Sequence, residues 1–338
     1  MKRSLKFFPL LFITLLISVS SFSMPNVNIL TWWGYLSAPW EAKIIESTCH
    51  VNLSYDQYYA TDEFLRRWRQ SRQDYDIAIF EDTAYPLIAK EIPHVASNLW
   101  RNTNNYNPII RRRYQARNYP ENIVFFYQSV TGFLWNPKAV SLASKDSLVT
   151  MFKKAKNNLV VLIDDPIVFQ KFQYLGTGKK SLSLREFLKI KQNTKIFITN
   201  SYDMLYKKTN FAFSYMWSGA ALSDLAHANK SYKFLIDSRA SYISSDLLAQ
   251  LNNKPGVVCV ANLLASKKFL TKEQNYTYYF SPYANRSNVE QPFFKEVYEQ
   301  YINNLSTLHW IKPVDEEKMK RVDRAWKKIK LYLSEKNT

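Results

Sequence analysis

Residues 26–36 read NVNILTWWGYL. The apolar run 27–32 breaks off in Trp32-Trp33-Gly34-Tyr35, the pattern of a buried strand that stops at a tight turn. Further strand-like runs at 51–55, 76–80, 123–127, 132–136, 159–163, 195–199, 211–216, 232–236 and 257–263 alternate with helical patterns at 39–47, 62–70, 166–174, 184–191, 201–207 and 220–227. Such alternation predicts an α/β fold with largely parallel sheets. In sheets of that kind the loops leaving the carboxyl ends of the strands converge on a ligand crevice.

The residues at those ends form a consistent set. Trp32, Trp33 and Tyr35 follow the first strand; Glu81, Asp82 and Thr83 follow the third; Asp164 and Asp165 follow 159–163; Trp217, Ser218 and Gly219 follow 211–216. Aromatic faces attract ammonium groups through the ring quadrupole, and carboxylates anchor charged ends, so the set suits an organic cation. Each element also has a plain structural reading. The paired tryptophans can pack on opposite faces of a strand, and an Asp before Pro166 can cap a helix. Glu81-Asp82 can cap as well, and Trp217 can be a buried aromatic at a strand-to-helix turn. Their shared topological position favours the site.

Residues 1–23, MKRSLKFFPLLFITLLISVSSFS, place three basic residues before an apolar run from Phe7 to Val19 and small residues after it. This predicts a cleavable secretory signal peptide, a mature chain starting near Met24, and a periplasmic location. The net charge of +18 includes three charges from that segment, leaving 43 basic residues against 28 acidic ones. The basic residues are scattered or decorate a C-terminal amphipathic helix bearing Val322, Trp326, Ile329 and Leu333, and no nucleic-acid-binding motif is present. Nucleic acid is therefore not an expected partner. Cys49 and Cys259 can pair in an oxidising compartment, but their spacing does not require it, and the run VVCVA around Cys259 reads as a buried strand. Gly176-Thr177-Gly178-Lys179 lacks the first glycine and the final Ser/Thr of a phosphate loop, the four histidines have no metal-site spacing, and no G-x-S-x-G elbow occurs. No enzyme activity, cofactor or metal is expected.

The segments NILTWWGYL, YDIAIFEDT, SVTGFLWNPKAV, LVVLIDDPIVFQKFQYLGTG, FAFSYMWSGAAL and YYFSPYANRSNV, in this order, resemble the periplasmic spermidine/putrescine-binding proteins of ABC transporters. The resemblance spans essentially the whole chain after residue 23 and implies a periplasmic-binding-protein fold of type II. Two α/β lobes, 24–130 plus 262–289 and 131–261 plus 290–338, would be joined by a hinge crossed several times, with the ligand between them. It also implies ligand contacts at Trp32, Trp33, Tyr35, Glu81, Asp82, Thr83, Asp165 and Trp217. The implied partners are a small cationic amine and an inner-membrane ABC permease, and the implied state is a monomer. A periplasmic sensor of the same fold, or a binder of another solute, is the alternative. The chain departs from the family at Val168, where a second acid is common. It departs again on the late crossover strand, read as 257–263, where Cys259-Val260-Ala261 stands in place of W-x-D.

Overall fold

The computed structural model describes residues 24–169, 172, 184–191, 194–199, 210–228, 231–284, 289–312 and 315–335. The predicted signal segment 1–23, the helix at 201–207, most of 170–174 and the Gly176–Lys179 stretch lie outside them. The first part alternates as expected: β1 (Asn26–Trp32), α1 (Pro39–Cys49), β2 (Asn52–Tyr58), α2 (Thr61–Ser71) and β3 (Ile77–Glu81). β1 runs parallel to both β2 and β3, so all three end on the same edge. A second parallel set is formed by β5 (Leu159–Ile163) between β6 (Lys195–Thr199) and β7 (Phe213–Trp217).

Two long antiparallel strands join these sets. β4 (Ile123–Trp135) is one continuous strand where the sequence suggested two. Its first half pairs with β9 (Tyr242–Gln250), and its second half pairs with β7 and with β8 (Lys233–Leu235). β9 in turn lies antiparallel to β3, giving the order β2-β1-β3-β9-β4-β7-β5-β6 among the described residues. The short β10 (His309–Trp310) also adds to β9. The sheet is therefore mixed rather than largely parallel, because the chain crosses between its halves through β4 and β9.

β9 had no counterpart in the sequence reading, because Ser244, Ser245 and Asp246 interrupt its apolar pattern. All nine of its residues are nonetheless buried. The polar ones find partners there: Ser245 Oγ donates to Gln128 Oε1 at 2.9 Å and Ser244 Oγ donates to Glu81 Oε1 at 2.6 Å. Conversely, the run expected as strand 257–263 is helical, within α4 (Pro255–Leu264), the next helix after α3 (Ser218–Ala228) among the described residues. Pro255 supplies the first helical turn, and the near-continuous apolar sequence reflects a helix buried along much of its surface.

α4 also settles the cysteines. Cys259 is disulfide-bonded to Cys49 at the end of α1, with Cα atoms 5.6 Å apart and 210 residues between them in sequence. Gly256 permits this approach, since a Cβ there would meet Val51 Cγ1 at 2.7 Å. Together with the pairing of Asp246–Gln250 to β3, the bridge joins the stretch 246–261 to β1–β3. The last helix, α6 (Glu316–Glu335), follows α5 (Lys267–Thr277) and buries Trp326, Ile329 and Leu333 as its periodicity foretold. It docks beside β5, where Asp164 accepts hydrogen bonds from Trp326 Nε1 and Lys330 Nζ.

A bridge across so long a loop restricts the unfolded chain strongly. Replacing both Cys49 and Cys259 by Ser should lower the stability of the chain by about 3–5 kcal/mol, read from urea unfolding against the oxidised parent.

Candidate functional site

The parallel strands β1, β2 and β3 end beside β9, and their last residues face one another there. Glu81 at the end of β3 is directly opposite Asp246 in the antiparallel register. Just beyond β1, Gly34 has φ +85° and Leu36 φ +54°, and this left-handed turn carries Tyr35 back toward the sheet. Tyr35 OH donates to Asp246 Oδ2 at 2.5 Å, and Trp32 Nε1 donates to Asp246 Oδ1 at 3.1 Å. One carboxylate on β9 thus holds both aromatics of the turn.

Around this point are further rings. Trp32 lies against Tyr58 at 4.5 Å, while Tyr35 meets Tyr127 at 5.4 Å and Tyr279 at 5.2 Å, both edge-on. Tyr279 also covers the start of α3: a Cβ on Gly219 would come within 2.3 Å of its ring. It therefore touches elements at the ends of both β1 and β7. Trp217, the last residue of β7, is half-buried and paired to Thr131 of β4. Trp33 is 54% exposed and stacks on Tyr59, itself 63% exposed, as an open aromatic shelf beyond the strand ends.

The acids divide into two kinds. Glu81 accepts from Ser244 Oγ at 2.6 Å and Thr61 Oγ1 at 3.3 Å, and Asp165 accepts from the N–H groups of Ile167 and Val168 at 2.8 and 2.9 Å. Asp165 therefore does cap a helical turn, as its plain structural reading held, and it also lies within the field of Glu81. Burial pushes the Asp165 carboxyl up to about 7, and the charge of Glu81 adds to the effect. Burial likewise pushes Asp246 up to about 7, against the pull of its Tyr35 and Trp32 hydrogen bonds.

Asp82 is of the second kind. It is buried, and its Oδ2 accepts from Arg117 Nη2 at 2.9 Å, with Tyr119 OH at 3.5 Å. Arg117 also donates to the carbonyl of Ile311, so Asp82 anchors β3 to a later segment instead of joining Asp246. Thr83 is buried in the same turn. Of the expected contact residues, the structure gathers Trp32, Tyr35 and Glu81 about Asp246, sets Asp165 within the field of Glu81, leaves Trp33 exposed, and turns Asp82 to Arg117.

Asp246 itself escaped the sequence reading. The late crossover strand was sought at 257–263, where no acid exists, but the strand that crosses is β9, and it does carry a carboxylate. Ser244 stands two residues before it and donates to Glu81. Tyr279 was within reach of sequence reasoning, since it belongs to the quoted YYFSPYANRSNV stretch. No group of three or more His, Cys, Asp or Glu side chains placed to hold a metal occurs among the described residues.

Asp165 and Asp246 both sit above their unfolded values, so the ligand-free fold holds their protons more tightly than the unfolded chain does. Their contribution to stability is complete in acid and is lost as pH rises through about 7. Thermal unfolding of the ligand-free chain should show a midpoint that falls between about pH 4 and 7.5 and levels off above. Tyr35→Phe, which removes a donor to the ionised form of Asp246, should move that fall to higher pH.

No family model matches the chain, and no curated protein matches it. Solved structures do. The spermidine/putrescine ABC transporter substrate-binding protein PotD from Streptococcus pneumoniae superposes with a TM-score of 0.75 at 15% identity, covering 91% of this chain and 99% of that one. A spermidine/putrescine ABC transporter protein from Listeria monocytogenes gives 0.74 at 15% identity with the same coverage. The PBP MotA from A. tumefaciens B6, in complex with glucopine, gives 0.66 at 11% identity over 90% of this chain and 99% of that one. The fold expected from the sequence resemblance is thus the fold observed: this chain is built as the substrate-binding proteins of ABC transporters are.

Proposed function

We propose that this chain is an exported solute-binding protein that captures a small organic cation, a polyamine or a related amine, and delivers it to an ABC permease. The observation that carries this reading is the company kept by Asp246. Asp246, Glu81 and Asp165 accept hydrogen bonds from indole, phenol, hydroxyl and backbone donors, and no lysine or arginine bonds them among the described residues. Carboxylates drawn together without a cation favour a ligand that brings its own. Trp32 and Trp217 offer faces for its ammonium and methylene groups, and the Trp33–Tyr59 shelf would meet whatever part extends outward.

Two lobes are proposed, one built on β1–β3, β9 and α4 and the other on β5–β7, with β4 and β9 as the crossing strands. A ligand touching Asp246 from one side and Asp165 or Trp217 from the other would favour the closed arrangement, in which a permease recognises the pair of lobes. The disulfide accords with an oxidising compartment, and so supports export by the segment 1–23.

Spermidine and putrescine titrations by calorimetry test the assignment. Asp246→Ala or Trp32→Ala should weaken binding about tenfold to a hundredfold, the worth of one charged hydrogen bond. Because Asp165 and Asp246 hold protons up to about 7, amine binding at about pH 6.5 should also release protons, visible as a heat that changes with the ionisation enthalpy of the buffer. Unchanged affinity in both variants would sink the site, and stabilisation by a neutral or acidic solute alone would sink the cation.

A further inference from the structure

Behind the Trp32–Tyr35 turn, three buried carboxylate oxygens lie without a hydrogen-bond donor: Glu41 Oε1 and both oxygens of Glu273. Both residues are fully buried, Glu41 on α1 and Glu273 on α5. The two helices pack directly beside them: the Trp40 ring is 5.7 Å from that of Phe269, and Lys272 Nζ sits 3.8 Å above the Trp40 ring. Two ionised carboxylates here would repel each other and leave buried acceptor oxygens without donors. A single proton between them removes both difficulties, since it turns one carboxyl into a donor for the other.

The pair also grips the turn. Glu41 Oε2 accepts the Ala38 N–H at 2.5 Å, and the Glu273 carboxyl lies beside the Leu36 N–H. Leu36 holds φ +54°, a left-handed conformation that a leucine adopts only when its surroundings impose it. The third link is Tyr127, whose ring abuts Tyr35 at 5.4 Å and whose buried hydroxyl lies in the field of both glutamates.

We propose that Glu41 and Glu273 share one proton and act as positioning residues for the binding turn, holding residues 34–38 so that Tyr35 is aimed at Asp246 and loosening that hold when the proton leaves. The proposal rests on the reading of Tyr35 and Asp246 as part of the ligand site. Around the pair, Lys272 of α5 acts on both carboxyls, Tyr55 of β2 and Tyr127 of β4 lie in their field, Thr277 of α5 stands beside Tyr127, and the charge of Glu46 on α1 acts on Tyr55. Of these only the Lys272 ammonium favours ionisation, and burial outweighs it, raising both carboxyls above the ordinary glutamate value. Values raised on folding mean that the hold is complete in acid and is lost as pH climbs.

Amide hydrogen exchange at Leu36 and Ala38 in the ligand-free full chain tests this. After correction for the intrinsic rate, protection at these two amides should fall about tenfold between pH 6 and 9 in the parent. Glu273→Gln, which keeps a hydrogen-bonding side chain and removes the second charge, should flatten that fall while the pH dependence owed to Asp165 and Asp246 persists. Protection that does not change with pH in the parent, or a Glu273→Gln profile that follows the parent's, overturns the proposal. If Glu273→Gln fails to fold, the parent labelled with 13C-glutamate, in which the aspartates are silent, decides: one glutamate carboxyl should keep its proton above the pH range in which ordinary glutamates ionise, and ionisation of every glutamate within that range overturns the proposal. A parallel spermidine titration separates the two readings, because failure to bind spermidine counts against the function while the exchange profile still judges the pair.

Discussion

The bond from Tyr35 OH to Asp246, with that from Trp32 Nε1 beside it, closes a separation of more than 200 residues at one carboxylate. Most of the arrangement around the strand ends depends on this meeting. β9 must run antiparallel to β3 for Asp246 to stand opposite Glu81, and the turn after β1 must pass through left-handed backbone for Tyr35 to reach back. The carboxylate is costly to bury, and two neutral donors repay only part of that cost. What remains is a standing affinity for protons or for other cations.

The alternating apolar runs made the first three strands and the β5–β7 set legible, since each is short, bounded by turn residues and backed by a helix. The same criterion failed at β9 and at α4, in opposite directions. β9 is polar at Ser244, Ser245 and Asp246 because its neighbours supply partners for those groups, so tertiary pairing hides a buried strand behind a hydrophilic stretch. α4 is nearly all apolar because it is covered on several sides, which erases the helical period that exposed polar residues would have marked.

Residue type at strand ends singled out Trp32, Tyr35 and Glu81, which the fold brings to Asp246, but it could not sort Glu81 from Asp82, which turns to Arg117. Glu81 and Asp82 are adjacent, and only the position of Arg117 decides which of the two is engaged elsewhere. Nothing in local sequence announces that ion pair, because it depends on a segment 35 residues away. The cysteine pairing was hidden for a similar reason: once 257–263 is read as a strand, no helix surface is available to bring Cys259 to the end of α1.

The Cys49–Cys259 bridge has a topological consequence. It closes a covalent ring that contains β2 to β9 and the whole β5–β7 half of the molecule, leaving β1 and the segments after α4 as two tails that issue from nearly the same place. A break in the backbone anywhere inside that ring would open it without dividing the molecule. The ends that form the Trp32–Tyr35 turn and carry Tyr279 would stay tethered to one another, so a nicked chain keeps Tyr35 and Tyr279 at high effective concentration and its two pieces separate only on reduction.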